Sequence, residues 1–155
     1  MQAFQATRLH GLWRAGHGID FHPDDSETYR PLDPIASFSF GPAWPLFIRH
    51  AAEAKDKGLH PIPVGVVQQS HGDCLFMGGP FQKVFEHMVP SLGQWVQRDG
   101  ARLPTVEDYR KHKHHVRFSY VSQPRNGDRT AEDWLLLYQR GEVPQDLARY
   151  NMTLR

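Results

Sequence analysis

The chain has almost no net charge, a single cysteine and no long apolar run, and each lack narrows what it can be. Its 18 Lys/Arg are set against 17 Asp/Glu, leaving a net charge of +1. Such a balance neither demands nor excludes nucleic acid, so any basic footprint has to be local. Cys74 has no second cysteine to pair with, which excludes an internal disulfide and points to a reducing compartment. Apolar runs stop at about five or six residues, far short of the roughly 20 needed for a spanning helix. Met1 to Leu9 shows none of the apolar centre of a signal peptide. The expectation is therefore a cytoplasmic protein without membrane contact. No internal repeat, low-complexity tract or Ser/Gly linker divides the 155 residues, so one domain, acting as a monomer, is expected.

What is present is turn chemistry. Thirteen Gly and twelve Pro favour many short strands over a helical bundle. Ile19–His22 reads as a short strand before a polar loop over 23–33. Over 34–40, Ala36, Phe38 and Phe40 share one face of a strand and Ser37 and Ser39 the other. Gly41-Pro-Ala-Trp-Pro45 turns, Leu46–His50 returns as a partner, and 51–57 reads as a helical turn ended by Gly58. The β-branched stretch 62–69 is a further strand, followed by a tight turn at Ser70-His-Gly-Asp73 and a returning strand over 74–77. Lys83–Val89 is read as a strand carrying His87. Residues 94–146 hold two expected helices, near 105–114 and 130–140, around a strand at 115–121, and 149–155 closes the chain as a strand. This spacing describes a mainly β (α+β) sandwich or jelly roll interrupted by a mixed α/β insertion, 94–146, before the last strand.

His22-Pro23-Asp24 is the first chemical signal. Side chains at i and i+2 of an extended segment point the same way and can grip one face of a metal. A further His on a distant strand would complete the two-His-one-carboxylate triad that suits non-haem iron(II) oxygenases. Taken alone the pair says little. A chain of this composition acquires about one His-x-Asp by chance, and His71-Gly-Asp73 is a second instance.

The surroundings are more specific. His22-Pro-Asp-Asp-Ser-Glu27, Pro34-Ile-Ala-Ser-Phe-Ser-Phe-Gly41 and Phe47-Ile-Arg-His50 are followed by Ser70-His-Gly-Asp-Cys-Leu-Phe-Met77. Phe85-Glu-His-Met-Val-Pro90 and Arg149-Tyr-Asn-Met-Thr-Leu-Arg155 come next. In this order the blocks resemble the AlkB-like Fe(II)/2-oxoglutarate-dependent dioxygenases that dealkylate nucleic acids, over about residues 11–93 and 147–155. The resemblance implies a double-stranded β-helix with His22, Asp24 and His87 as catalytic iron ligands. It also implies that Arg149 and Arg155 clamp the carboxylates of 2-oxoglutarate, with Asn151 on the same strand face; planar guanidinium groups suit that task. His71-Gly-Asp73 then reads as a structural turn, and Cys74 as a core residue. Glu86, next to His87 but on the opposite strand face, is not counted as a ligand.

Three departures from that family concern substrate and cosubstrate. The family's N-terminal nucleotide-gripping lid is not expected here. Its upstream Asn and Tyr fall on Gly11 and Trp13, where only the indole N–H of Trp13 can replace a donor to the cosubstrate. An acidic base-contacting residue falls on Ser26, with Glu27 beside it. In compensation, 62 residues separate His87 from Arg149, and within them runs Arg110-Lys-His-Lys-His-His-Val-Arg117. Tyr109, Phe118 and Tyr120 flank this run. Positive charge beside aromatic rings is a recipe for single-stranded nucleic acid, making Arg110, Lys111, Lys113 and Arg117 candidate phosphate contacts. A solvated helix face explains the same run without a ligand, since the segment as a whole holds nine Lys/Arg and eight Asp/Glu.

The leading expectation is a dioxygenase that uses Fe(II) and 2-oxoglutarate to hydroxylate or demethylate a nucleobase in DNA or RNA, releasing succinate and CO2. Two alternatives stay open: the same chemistry on a protein side chain or small molecule, and a non-catalytic jelly-roll module with a vestigial metal site.

Overall fold

Period-two segments become the walls of a two-sheet sandwich. A computed structural model describes residues 8–24, 34–51, 63–97, 120–121 and 125–154. Among them, nine strands run β1 (Arg8–Arg14), β2 (Ile19–His22), β3 (Ile35–Phe40), β4 (Trp44–His50), β5 (Pro63–Gln69), β6 (Cys74–Met77), β7 (Phe85–Val89), β8 (Tyr120–Val121) and β9 (Ala148–Leu154). The helices are α1 (Phe81–Val84), α2 (Leu92–Gln97) and α3 (Ala131–Arg140). One sheet has the order β1-β9-β3-β6 and the other β2-β7-β4-β5-β8. Its pairings are antiparallel, apart from the parallel contact of β5 with β8. This is the mainly β jelly-roll architecture that the turn spacing leads one to expect.

Several segments differ from expectation. Lys83 and Val84 do not belong to the strand that carries His87. The turn through Pro80 nucleates one helical turn, in which the Pro80 carbonyl accepts from the N–H groups of Lys83 and Val84 at 3.0 and 3.1 Å, and the strand starts only at Phe85. Two elements have little sequence signal, β1 and α2. β1, with Gly11 in mid-strand, is extended because it pairs along its whole length with β9, from Arg8↔Leu154 to Arg14↔Ala148. The helix expected near 130–140 is α3. Its first turn is closed by a capping box: the Thr130 hydroxyl accepts from the Asp133 N–H, and the Asp133 carboxylate accepts from the Thr130 N–H. Gly141 ends it at φ 69°, a left-handed cap that glycine adopts without steric cost. The expected elements at 51–57, 105–114 and 115–119 lie outside the described residues, Ala51 apart.

Two apolar clusters hold the sheets. Trp44, Phe47, Met88, Leu92, Trp95 and Trp134 form one, and Leu46, Ile48 and Val64 the other. Trp134 is 1% exposed, so α3 contributes directly to the core; truncating such a side chain to Ala costs about 3–5 kcal/mol.

The other sheet inverts the usual pattern. Along β3 the inward side chains are Ile35, Ser37 and Ser39, all buried, while Ala36, Phe38 and Phe40 face outward. Leu12 and Phe76 are also exposed, and alternation along their strands puts them on that outer face. Cys74, the Cα partner of Phe38, is exposed rather than a core residue. Its strand places it on the side of the sheet that the sandwich does not cover.

Candidate metal centre

The site begins with a strand pairing. β2 ends at His22, whose Cα partner on β7 is His87, so the two imidazoles project from neighbouring strands on one face, ring centroids 4.6 Å apart. Pro23 then turns the chain and Asp24 folds its carboxylate back between them. One carboxylate oxygen lies 3.6 Å from His22 Nε2 and the other 3.6 Å from His87 Nε2. All three ligand atoms fall within 4.8 Å of one another. The His22 Nδ1 is 2.7 Å from the Asp20 carbonyl. A carbonyl only accepts, so Nδ1 carries the proton and Nε2 presents its lone pair to the cluster. Two neutral nitrogens and one carboxylate on one side of a metal leave its remaining positions open, the donor set that suits iron(II). The His71 pair is built differently. His71 Nδ1 accepts from the Gly41 N–H at 3.1 Å and its ring stands edge-on to Phe40, which fixes a turn. Gly41 itself has φ 109°, and a Cβ there would meet the Ala148 carbonyl at 2.9 Å, so the turn requires glycine. Glu86 faces away from the cluster, paired with Arg49 at 2.8 Å, and the Arg49 guanidinium lies over the Phe21 ring.

The buried polar face of the opposite sheet explains its serines. Arg149 on β9 is 3% exposed. Its Nη2 donates to Ser39 Oγ and to Gln69 Oε1, both at 2.8 Å, which ties the two sheets together. The Ser39 hydroxyl donates to Asn151 Oδ1 and Asn151 Nδ2 donates to Ser37 Oγ, a row of hydrogen bonds running one way. Burial lowers the Arg149 pKa to about 10, because desolvation disfavours its charge. Its Nε and Nη1, and Nε2 of Gln69, are buried without a hydrogen-bond partner among the described residues. These orphans are all donors. A carboxylate is the group that satisfies several converging N–H donors and a positive charge together, so this end of the sandwich fits 2-oxoglutarate.

Trp13 and Arg149 are Cα partners and line one narrow recess together with Trp44 and Val89. A Cβ on Gly11 would stand 2.7 Å from Trp13 Nε1, closer than atoms in contact approach. The Trp13 indole therefore occupies the space that a side chain at 11 would take, and the two positions work as one unit. His50 is a residue that sequence reasoning did not single out. It shares the face of Ile48 and His87, is buried with both ring nitrogens unpartnered among the described residues, and packs on Phe85. Burial lowers its pKa.

The structure thus brings together His22, Asp24 and His87 in one cluster, and Trp13, Arg149 and Asn151 on adjoining strands. Arg155, Ser26, Glu27, Arg110, Lys111, Lys113, Arg117, Tyr109 and Phe118 lie outside the described residues. Tyr120 is in β8, as Cα partner of Gly65. Sequence reasoning missed Ser37, Ser39, Gln69 and Gln82; the Ser-x-Ser alternation was the available signal for the first two. Among the described residues no helix is long and apolar enough to cross a membrane. The sequence model of the 2OG-Fe(II) oxygenase superfamily matches residues 11–155. No curated protein matches the chain significantly.

Proposed function

Given that the chain belongs to the 2OG-Fe(II) oxygenase superfamily, and is accordingly a 2-oxoglutarate-dependent dioxygenase, we propose that it hydroxylates or demethylates a nucleobase in DNA or RNA. The observation that carries this reading is the His22, Asp24 and His87 cluster, the one place where the described residues offer a metal three ligand atoms. Bound there, Fe(II) would supply activation of O2, one oxygen atom of which ends in succinate as 2-oxoglutarate loses CO2 while the other enters a substrate C–H bond. On an N-methyl group the hydroxylated carbon leaves as formaldehyde and the base regains its N–H. The chain's own residues hold and orient. Arg149, with its unpartnered Nε and Nη1, takes a 2-oxoglutarate carboxylate; Arg155, Asn151 and the Trp13 indole assist. Enclosure between the two sheets would limit access of water to the reacting atoms.

A nucleobase is favoured by the ordered sequence blocks and by the His22 side chain, 33% exposed at the mouth of the cluster, where a flat ring has an imidazole to rest on. Ser26 and Glu27 follow directly and would contact the base edge. Arg110, Lys111, Lys113 and Arg117 would hold phosphates, with Tyr109, Phe118 or Tyr120 stacking.

The test is succinate and formaldehyde release with Fe(II), 2-oxoglutarate and single-stranded oligonucleotides bearing N-methylated bases. Unmodified oligonucleotides, peptides and no substrate serve as controls. Stoichiometric formaldehyde with the methylated strands alone supports the reading. Turnover stimulated by peptides or small molecules and not by nucleic acid moves the substrate to those classes. No turnover of 2-oxoglutarate under any condition leaves a binding module.

A further inference from the structure

We propose that Gln82 is a positioning residue that sets the Asp24 ligand in place before any metal arrives; this rests on the metal-centre reading above. Pairing of β2 with β7 ends at His22↔His87, and Pro23 has no N–H to offer. The Asp24 N–H is thus the first backbone donor beyond the strand pairing, and it donates to Gln82 Oε1 at 2.8 Å. The other end of the same amide is directed as well, with Gln82 Nε2 lying 3.8 Å from Met77 Sδ. A thioether only accepts, so both partners fix which end of the amide faces Asp24. Met77 closes β6 and is 4% exposed, a rigid anchor.

Gln82 sits in α1, five residues before His87 on the strand that follows. One unit, Phe81–Val89, therefore supplies a ligand directly and aims a second ligand from 58 residues away. The Asp24 carboxylate lies 3.6 Å from Nε2 of each imidazole. The Gln82 hydrogen bond supplies part of the hold that a metal would otherwise have to impose. Partners that bond a ligating side chain typically govern metal affinity by about 10–100-fold, and Gln82 reaches its ligand through the Asp24 main chain.

The experiment titrates the metal-free protein with Mn²⁺, an oxygen-stable stand-in for Fe(II), and reads free Mn²⁺ by electron paramagnetic resonance without 2-oxoglutarate. Wild type is compared with His87→Ala, Gln82→Met, which keeps the bulk and loses the acceptor, and Gln82→Glu, which keeps the acceptor. His87→Ala tests the centre itself: if it binds Mn²⁺ as wild type does, the metal reading and this proposal fall together. With that control lost as expected, Gln82→Met should weaken binding about 10–100-fold, while Gln82→Glu binds at least a third as tightly as wild type. Equal affinity of Gln82→Met and wild type overturns the positioning role and leaves the centre standing. Equal weakening by Met and Glu overturns it too, since the acceptor oxygen would then be irrelevant. Hydrogen exchange on metal-free wild type needs no variant. The Asp24 amide should be protected before metal is added, and exchange at the rate of an open loop amide refutes the proposal even if Gln82→Met fails to fold.

Discussion

Replacing Arg149 with methionine should leave the metal-free protein within about 3 kcal/mol of wild type in stability and remove most of its response to 2-oxoglutarate. Burial lowers the guanidinium to about 10, more than two powers of ten below the ordinary proton affinity of arginine. At about 1.4 kcal/mol per power of ten, burying the charge costs roughly 3 kcal/mol. The sign follows from linkage. At neutral pH both folded and unfolded states hold the proton, so the cost is present in full. It is relieved only above about pH 10, where the folded state releases the proton first. Methionine removes that cost but leaves Ser39 Oγ and Gln69 Oε1 without the Nη2 donor, a loss of about 1–3 kcal/mol for each. The two effects offset to within about 3 kcal/mol. Ligand response behaves differently. At a concentration of about 100 times Kd, 2-oxoglutarate stabilises wild type by about 2.7 kcal/mol, a rise in Tm of roughly 5–10 °C for a domain of this size. Losing a charge-assisted pair of about 1.5–3 kcal/mol leaves the variant a rise of no more than about 5 °C. Thermal melts with Mn²⁺ in place of iron, with and without 2-oxoglutarate, read both quantities. A variant that keeps the full ligand-dependent rise would refute Arg149 as the carboxylate's partner. A metal-free variant that loses far more than about 3 kcal/mol would show that the tie between the sheets outweighs the cost of burying the charge.

Asp24→Ala and His22→Ala should abolish succinate formation and tight Mn²⁺ binding, whereas His71→Ala should cost about 1–2 kcal/mol of stability and leave metal stoichiometry unchanged, as read by calorimetry. Gly11→Ala should displace the Trp13 indole and raise the 2-oxoglutarate concentration for half-saturation severalfold while Mn²⁺ affinity holds; unchanged cosubstrate affinity would separate Trp13 from the cosubstrate. Because burial lowers the His50 pKa, its neutral form contributes stability that is present above about pH 6.5, the unfolded value, and is lost as pH falls below it. The denaturant midpoint of metal-free wild type should therefore fall relative to that of His50→Phe on acidification, and parallel curves would count against it.

Legibility tracked sequence distance. His22 and Asp24 are two apart, and extended geometry alone aims them together. Joining His87 to them took the order of the surrounding blocks, because nothing local marks a strand partner so far along the chain. Gln82 and Gln69 had no such blocks to reveal them: their partners, Asp24 and Arg149, are 58 and 80 residues away. In β3 the strand was legible and its inside was not. Binary patterning sends Phe38 and Phe40 inward, yet Ser37 and Ser39 are the buried pair, since they hold Asn151 and Arg149 in a polar interior. Lys83 and Val84 went wrong for a local reason, the helical turn set by Pro80 against a stretch whose side chains read as strand.

The cluster of Trp44, Trp95 and Trp134 also makes the fold optically self-reporting. The indole centroids of Trp44 and Trp95 are 5.0 Å apart, and those of Trp44 and Trp134 6.1 Å. At such separations the excited states of the rings mix, which splits their far-ultraviolet circular dichroism into a paired band of opposite signs. Trp134 comes from α3, so the strength of that couplet measures docking of the helix onto the sandwich, apart from backbone content. Trp44 lines the recess that Trp13 and Arg149 share, so excitation absorbed by the trio can pass to the fourth indole, Trp13. The chain carries its own light-driven gauge of the recess, with no label attached.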